Sequence, residues 1–329
     1  MKLMVFSIIV PVRNAEKTLE RCVSSIAGQG KMEMEIILIE NGSEDTSYLE
    51  CMRLKSRYET DRCTILCVQA QNQGISSARN IGLDMATGDI ICFCDADDYL
   101  EDDVFRFIER LFLETNADLI ITGYLVHSPD SVISRSLPEE RYIAQAELMG
   151  RILNDSRVFG SVWNKYYKRE MIQNCRFEET LTLCEDTHFN LSVLSRKTDA
   201  VAFYTKQCTY HYICNEQSQS HSNDSHNWRS SFRGDKLKYI EACYQILNDC
   251  QLPEKTIREV QYAIAGHAIH FLHNFGNEME PEIREYLKRE LRKNLLPFMM
   301  VMREYHRGFN IKRLIWGLKW LLIPERKCC

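Results

Sequence analysis

Between residues 5 and about 121, short apolar runs alternate with stretches whose apolar residues recur at helical spacing. Phe6–Val10, Glu35–Ile39, Thr64–Val68, Asp89–Cys94 and Asp118–Thr122 are Ile- and Val-rich and too short for helices, so they are predicted strands. Between them, Leu19, Cys22, Val23 and Ile26 share one helix face. Ile75, Ala78, Ile81, Gly82 and Met85 share a second, and Val104, Ile108, Leu111 and Phe112 a third. Strand and helix alternating at this pitch predict βαβ units and a mostly parallel α/β sheet, in which ligands bind beyond the carboxyl ends of the strands.

From residue 124 to 213 the pattern is less regular, with helices expected over Ile143–Asn154 and Thr187–Leu194 and strands near Ala200–Tyr204 and Cys208–Ile213. The stretch Cys214–Asn227 holds no aliphatic residue to anchor it and is expected to be a long loop. Beyond Trp228 the pattern is helical. The expected division is one domain over 1–227, with halves of about 1–123 and 124–227, and a helical annex over 228–329.

Composition narrows the classes. The 329 residues carry 45% hydrophobic and 26% charged residues and a net charge of -5, without the basic excess of a general nucleic-acid binder, so no nucleic acid partner is expected. Fourteen cysteines include no C-x-x-C pair, and several lie in strand-like runs (Cys67, Cys92, Cys94), which fits reduced thiols in a cytoplasmic protein rather than a disulfide framework or a structural zinc site. The apolar start MKLMVFSIIVPV is too short to span a bilayer and runs into Pro11, so it reads as the first strand.

The chemistry gathers at strand ends. In ICFCDADDYL, an apolar strand runs into Asp95, Asp97 and Asp98. A turn and helix cap would account for one or two of these carboxylates. A hard divalent cation, Mn2+ or Mg2+, with phosphate oxygens among its ligands would account for the crowding. VPVRN ends the first strand and IENGSEDTS the second, with Ser43 set to cap the next helix. NQGISSARNIG enters a helix after the third, where Gly74 and Gly82 permit close backbone approach and Arg79 could meet an anion. Each stretch also has a plain reading: Glu40-Asn41-Gly42 as a turn, Arg79 as a surface charge.

In this order, SIIVPVRN, ILIENGS, NQGISSARNIGLDMATGDIICFCDADD, VWNKYYKREMI and CEDTHF resemble the bacterial family 2 nucleotide-sugar glycosyltransferases that build capsular, exopolysaccharide or lipopolysaccharide sugars. The resemblance covers roughly residues 5 to 213. It implies a GT-A fold, a Rossmann-like sheet flanked by helices, and a divalent metal with a nucleotide sugar, UDP-linked, as donor. The family's DXD motif falls on Asp95-Ala96-Asp97, with Asp97 the main metal ligand and Asp95 beside ribose and metal. Pro11 and Glu40 would line the uridine pocket, where the family usually has Asp rather than Glu40, and Arg13, Asn72, Arg79 and Ala96 fall on the donor side. Asp186 of Glu185-Asp186 would be the catalytic base, and Trp163, Asn164, Lys165 and Glu185 would lie toward the acceptor, a saccharide or lipid-linked hydroxyl. Without the family, Asp186 reads as a carboxylate at a helix start. Where relatives carry a diphosphate-binding Arg, this chain has Ile213, with His211, His221 and His226 as substitutes or as solvated loop residues.

The implied chemistry is inverting transfer, with Asp186 taking the acceptor proton while metal neutralises the leaving diphosphate. The rivals are a sugar nucleotidyltransferase, for which PVRNAEKT lacks the usual glycines, and a non-catalytic sugar or nucleotide binder, which would have lost Asp97 or Asp186. Gly28-Gln-Gly30 ends a helix and gives no dinucleotide site. His267, His270 and His273 share a helix face without the acidic partner of a zinc motif, and read as packing or surface residues. Over residues 308–329, Ile311, Leu314, Ile315, Leu318, Leu321 and Leu322 face away from Lys312, Arg313, Lys319, Trp316 and Trp320. That face either packs on the annex or contacts a membrane interface, at the inner side of the plasma membrane.

Overall fold

The structure is a computed structural model that describes residues 4–30, 32–71, 73–155, 157–158, 160–181, 184–197, 199–214, 240–248, 250–275, 280–304, 316–319 and 321. β1 (Val5–Val12), β2 (Glu33–Asn41), β3 (Cys63–Ala70) and β4 (Ile90–Phe93) pair in parallel in the order β3-β2-β1-β4. Their crossovers carry α1 (Leu19–Ala27), α2 (Ser47–Tyr58) and α3 (Ile75–Met85). Alternation sorts the strand side chains between two layers. Phe6, Ile8, Val10, Ile36 and Leu38 join the helix face Leu19, Cys22, Val23 and Ile26 in one core. Ile9, Ile37 and Ile39 join Ala78 of α3 in the other. Gly82 is required here, because a Cβ on it would lie 2.4 Å from Cγ2 of Ile9, so α3 rests directly on β1.

After β5 (Tyr99–Leu100) and α4 (Val104–Thr115), the sheet becomes mixed. β6 (Leu119–Ser128) forms a hairpin with β7 (Ser131–Arg135) and is followed by β8 (Arg141–Ile143) and α5 (Gln145–Asn154). β9 (Lys165–Lys168) then inserts antiparallel between β4 and β6 and joins the two halves into one sheet. The sequence pattern did not predict β9, whose residues Lys-Tyr-Tyr-Lys show neither an aliphatic run nor simple alternation. α6 (Arg169–Ile172) and α7 (Glu185–Arg196) lead to β10 (Ala202–Ile213), which pairs in parallel with β6. The two strands expected near residues 200 and 208 are this one strand, broken by register shifts between Tyr204 and Tyr210. The helix expected from Ile143 starts at Gln145, because Ile143 pairs with Ala202 in the sheet.

The annex comprises α8 (240–248), α9 (Glu254–Phe275) and α10 (Pro281–Glu304). Ile240, Cys243, Ile264, Ile269, Leu287 and Phe298 belong to the same core cluster as Ile9 and Phe93, so the annex shares the core of the sheet's α3 face. Of the C-terminal helix, Trp316 stacks on His273 with ring centroids 3.6 Å apart and Gly317 lies against Ile269 and Leu291. Leu318 is exposed. The tryptophan side of that helix therefore packs on the annex, and the side carrying Leu318 looks outward. No described helix is long and apolar enough to cross a membrane.

Candidate active site

The carboxyl ends of β1, β2 and β4 converge, and the loops leaving β1 and β2 are laced together. The Asn14 N–H donates to Ser43 Oγ and the Glu44 N–H to Asn14 Oδ1, while Glu16 accepts from the N–H and hydroxyl of Thr46. The Ala15 N–H donates to Ser47 Oγ, which itself donates to Asp45. Ser43 is thus a bridge between loops rather than the cap of α2, whose N-cap is Thr46. Pro11 and Glu40 end their strands on this side, with Val12 beside Glu40 in the register. Glu40 is buried and accepts from the Ser43 N–H at 2.5 Å. Asn41 donates to the carbonyl of Gly74, whose φ of +93° sets the entry to α3. Arg13 is exposed at the rim. Asn72 lies outside the described residues.

At the end of β4, Cys94 still donates its N–H to the carbonyl of Ile9 before the chain turns through Asp95-Ala96-Asp97. Asp95 and Asp97 are half-buried, while Ala96 is buried. Tyr210 locks the turn: its hydroxyl accepts from the Asp95 N–H at 3.1 Å and donates to Asp98 Oδ2 at 2.7 Å. The Ile213 N–H donates to the other oxygen of Asp98 at 2.7 Å. Burial, then the charges of Asp95 and Asp97, pushes the Asp98 carboxyl well above its ordinary range. Asp98 caps no helix, since α4 begins at Val104 behind Asp103; it ties the acidic turn to β10. The carbonyl of Asp97 accepts from Arg21 at 2.6 Å.

The other side of the site hangs on Arg79. Its guanidinium is 2% exposed and faces Asp186 at 2.5 Å, Glu185 at 3.1 Å and Asp95 at 3.3 Å. The surface-charge reading of Arg79 is therefore wrong: burial would weaken its proton affinity, but the three carboxylates raise it. Glu185 and Asp186 stand in the first turn of α7, each 16% exposed, so they both start a helix and point at this cation. Asp186 takes a second hydrogen bond from the Val162 N–H at 3.2 Å. Its carboxyl is pushed up to about 7, chiefly by burial and further by Glu185 and Asp95, against the opposing pull of Arg79 and the Val162 N–H. A base poised near neutrality is what proton abstraction from a hydroxyl requires.

The residues expected toward an acceptor are differently placed. Asn164 and Lys165 are completely buried and bond to backbone carbonyls, so in this structure they offer no surface to an acceptor. Trp163 is buried, stacked on Tyr210 with centroids 4.4 Å apart and on Tyr212 at 5.7 Å, and it backs the tyrosine that holds the acidic turn. His211, a proposed stand-in for a diphosphate-binding Arg, stacks on Tyr99 and faces Glu101 and His127, so its ring nitrogens are engaged away from Asp97. His221 and His226 lie outside the described residues. Sequence reasoning missed Tyr210 and Asn190, and offered Asp98 as a helix cap where it ties the acidic turn to β10. Asn190 had one signal, its place four residues after Asp186 on the same helix face.

The donor set suits a hard cation. One guanidinium faces three carboxylates, and Asp97 adds a fourth within the turn, leaving negative charge in excess. Among the described residues no three His, Cys, Asp or Glu side chains form a cage of their own. Mg2+ or Mn2+ bound through one or two carboxylates with substrate phosphates completing the shell needs no such cage.

A mixed sheet whose first four strands are parallel, with Asp95-Ala96-Asp97 following β4 and acidic and basic groups gathered at the strand ends, is an α/β fold of the kind that binds ligands beyond its strand ends. Residues 7–176 match the family model described as Glycosyl transferase family 2, and the chain belongs to that family. It is 31% identical over 192 residues to the uncharacterized glycosyltransferase EpsJ of Bacillus subtilis, covering 56% of this chain and 55% of EpsJ. Glycosyltransferase GlyA of Streptococcus pneumoniae is 29% identical over 226 residues, 65% of this chain and 31% of GlyA. The chain thus spans about half, or less, of the length of these two relatives. Among solved structures, S. aureus TarS 1-349 in complex with UDP-GlcNAc matches with a TM-score of 0.66 at 18% identity, over 97% of this chain and 89% of that one. Mannosyltransferase PcManGT from Pyrobaculum calidifontis, in complex with GDP-Man and Mn2+, matches at 0.55 and 14% identity, over 98% and 85%. These structures share the GT-A fold with the present chain.

Proposed function

We propose that the protein catalyses inverting transfer of a sugar from a nucleotide sugar, UDP-linked, to a hydroxyl of a saccharide or lipid-linked acceptor in bacterial surface polysaccharide synthesis. The observation that carries this reading is the meeting of Asp95 and Asp186 on one buried guanidinium, which sets a diphosphate-side carboxylate and a candidate base within one site. Asp186, raised to about 7, takes the proton of the acceptor hydroxyl as its oxygen bonds to the anomeric carbon. The bond from that carbon to the diphosphate breaks on the opposite face, the diphosphate keeps the electron pair, and an α-linked donor gives a β-linked product. Asp97 and Asp95 would hold a Mn2+ or Mg2+ ion, which supplies neutralisation of the diphosphate charge. Pro11, Arg13, Glu40 and Asn72 serve the donor's nucleoside side, with Glu40 accepting from the uracil N3–H.

The UDP and UDP-GlcNAc in the TarS complexes support the donor class, and the Mn2+ in PcManGT supports the metal. Minor teichoic acid biosynthesis protein GgaB, 26% identical over 218 residues, supports a surface-polymer acceptor. The outward side of residues 316–319, with exposed Leu318 and Lys319, supports contact of the segment 308–329 with the inner face of the plasma membrane. Deleting 308–329 should then reduce association with anionic liposomes; equal association would remove that part of the reading. The donor is tested by thermal shift against UDP, GDP and dTDP sugars with and without Mn2+. A donor at about a hundred times its Kd stabilises the fold by about 2.7 kcal/mol. Stabilisation by a UDP-sugar only with metal is expected, and equal response to every nucleotide would contradict it.

A further inference from the structure

Lys165 is a completely buried amine at the first position of β9, and burial pushes its pKa down to about 7. Its Nζ donates to the carbonyls of Val158 at 3.1 Å and Ser161 at 2.6 Å and to Asn164 Oδ1 at 2.9 Å. An ammonium has three protons, and these acceptors wrap the loop that ends at Val162 around it. Asn164 draws the same loop inward, donating to the carbonyls of Val158 and Thr122.

The far side of that loop rests on α7. Asn190 donates to the carbonyls of Gly160 at 2.8 Å and Asp186 at 2.9 Å, and its Oδ1 accepts from the Tyr167 hydroxyl at 2.6 Å. A Cβ at Gly160 would lie 2.1 Å from Thr187 Oγ1, so the loop touches the first turn of α7. Among the described residues of the loop, the Val162 N–H donates to the carboxylate of Asp186.

We propose that Lys165 is a positioning residue for Asp186: it holds the carbonyls of Val158 and Ser161 so that the adjoining Val162 N–H fixes the carboxylate in its working orientation. The inference rests on Asp186 being the base. The cation in direct contact with Asp186 is Arg79, whereas Lys165 acts on it only through the loop and by attraction at a distance; Asn190→Leu, which keeps the Lys165 charge, separates the two. A neutral side chain of the same length would leave the Val158 carbonyl only its bond from Asn164 at 3.3 Å and the Ser161 carbonyl only its bond from Asn190 at 3.4 Å, and so loosen the loop. A misplacement of about 1 Å at a reacting group can cost about a hundredfold in rate.

The test is Lys165→Met in the full chain, assayed for transfer with the donor identified by thermal shift. The expected result is a fall in kcat of about tenfold to a hundredfold, with donor KM and Mn2+-dependent UDP binding within about twofold of the parent. The acid limb of the kcat profile should also move to higher pH, because the Val162 N–H that favours the ionised carboxylate is no longer held against it. Unchanged kcat, or a kcat loss with equal loss of UDP binding and an unmoved acid limb, would overturn the proposal. If Lys165→Met does not give folded protein, Asn190→Leu, which releases the loop from the other side, is read by the same three measurements and must show the same pattern. Asp186→Asn separates the two claims: if it stays active, the base assignment fails, whereas an inactive Asp186→Asn beside a fully active Lys165→Met defeats only the role of Lys165.

Discussion

On the side of the site assigned to the donor's nucleoside, the loops after β1 and β2 are joined by hydrogen bonds between residues about thirty apart in sequence, from one βαβ unit to the next. On the catalytic side, Asp186 meets Arg79 across 107 residues and Val162 across 24, and the acidic turn meets Tyr210 across 112 or 115. The first side is a product of local crossovers, and the second exists only once β9 and β10 have closed the sheet. Binding elements can therefore persist when the catalytic network is loosened, whereas the network has no stable form without the completed sheet.

The sharpest way to break this contrast is at the shared guanidinium. Arg79→Met leaves Asp95, Glu185 and Asp186 crowded without their cation, and removing one partner of a buried ion pair costs about 3 kcal/mol or more. Urea unfolding should show that loss with abolished transfer; a variant as stable as the parent would mean the three carboxylates do not depend on Arg79. Asp97→Ala should leave the fold intact and remove the Mn2+ dependence of UDP binding measured by calorimetry, and persistence of that dependence would move the metal elsewhere.

A milder probe is pH. Because only ionised Asp186 can accept a proton and its carboxyl is raised to about 7, kcat/KM should fall as pH drops below that value, by about tenfold per unit. A profile flat down to pH 5 would contradict the raised value. The smallest effect is expected from Tyr210→Phe, which removes the hydroxyl between the Asp95 N–H and Asp98 and should cost about 1 to 3 kcal/mol of stability for a buried polar group left unmatched. Its UDP affinity in Mn2+ should weaken, while the apparent pKa of the kcat/KM profile stays where Asp186 sets it.

Legibility in the sequence followed the same divide. β1, β2 and β4 and the faces of α1 and α3 could be read directly, because burial on both sides of a parallel strand writes a continuous apolar run and each helix writes its own stripe; the edge strand β3, only partly buried, still shows an Ile-Leu-Cys-Val run. β9 could not, since Lys165-Tyr166-Tyr167-Lys168 is held by pairing with β4 and β6, and its lysine is buried by loop carbonyls that no local pattern announces. Asp95, Asp97 and Asp186 stood out as carboxylates in motifs. That Arg79 joins two of them, that Asp98 anchors rather than caps, and that Asn164 and Lys165 face inward are consequences of long-range closure, which sequence spacing does not encode.

The central claim is that Asp186 is the base of a site whose nucleoside half, the laced loops after β1 and β2, is held together without it. The most direct measurement is transfer and Mn2+-dependent UDP binding in Asp186→Asn, which keeps size and polarity while removing the basic oxygen. The account predicts a loss of kcat of about a hundredfold to ten-thousandfold with UDP binding preserved. Retained transfer, or loss of UDP binding together with transfer, would contradict it.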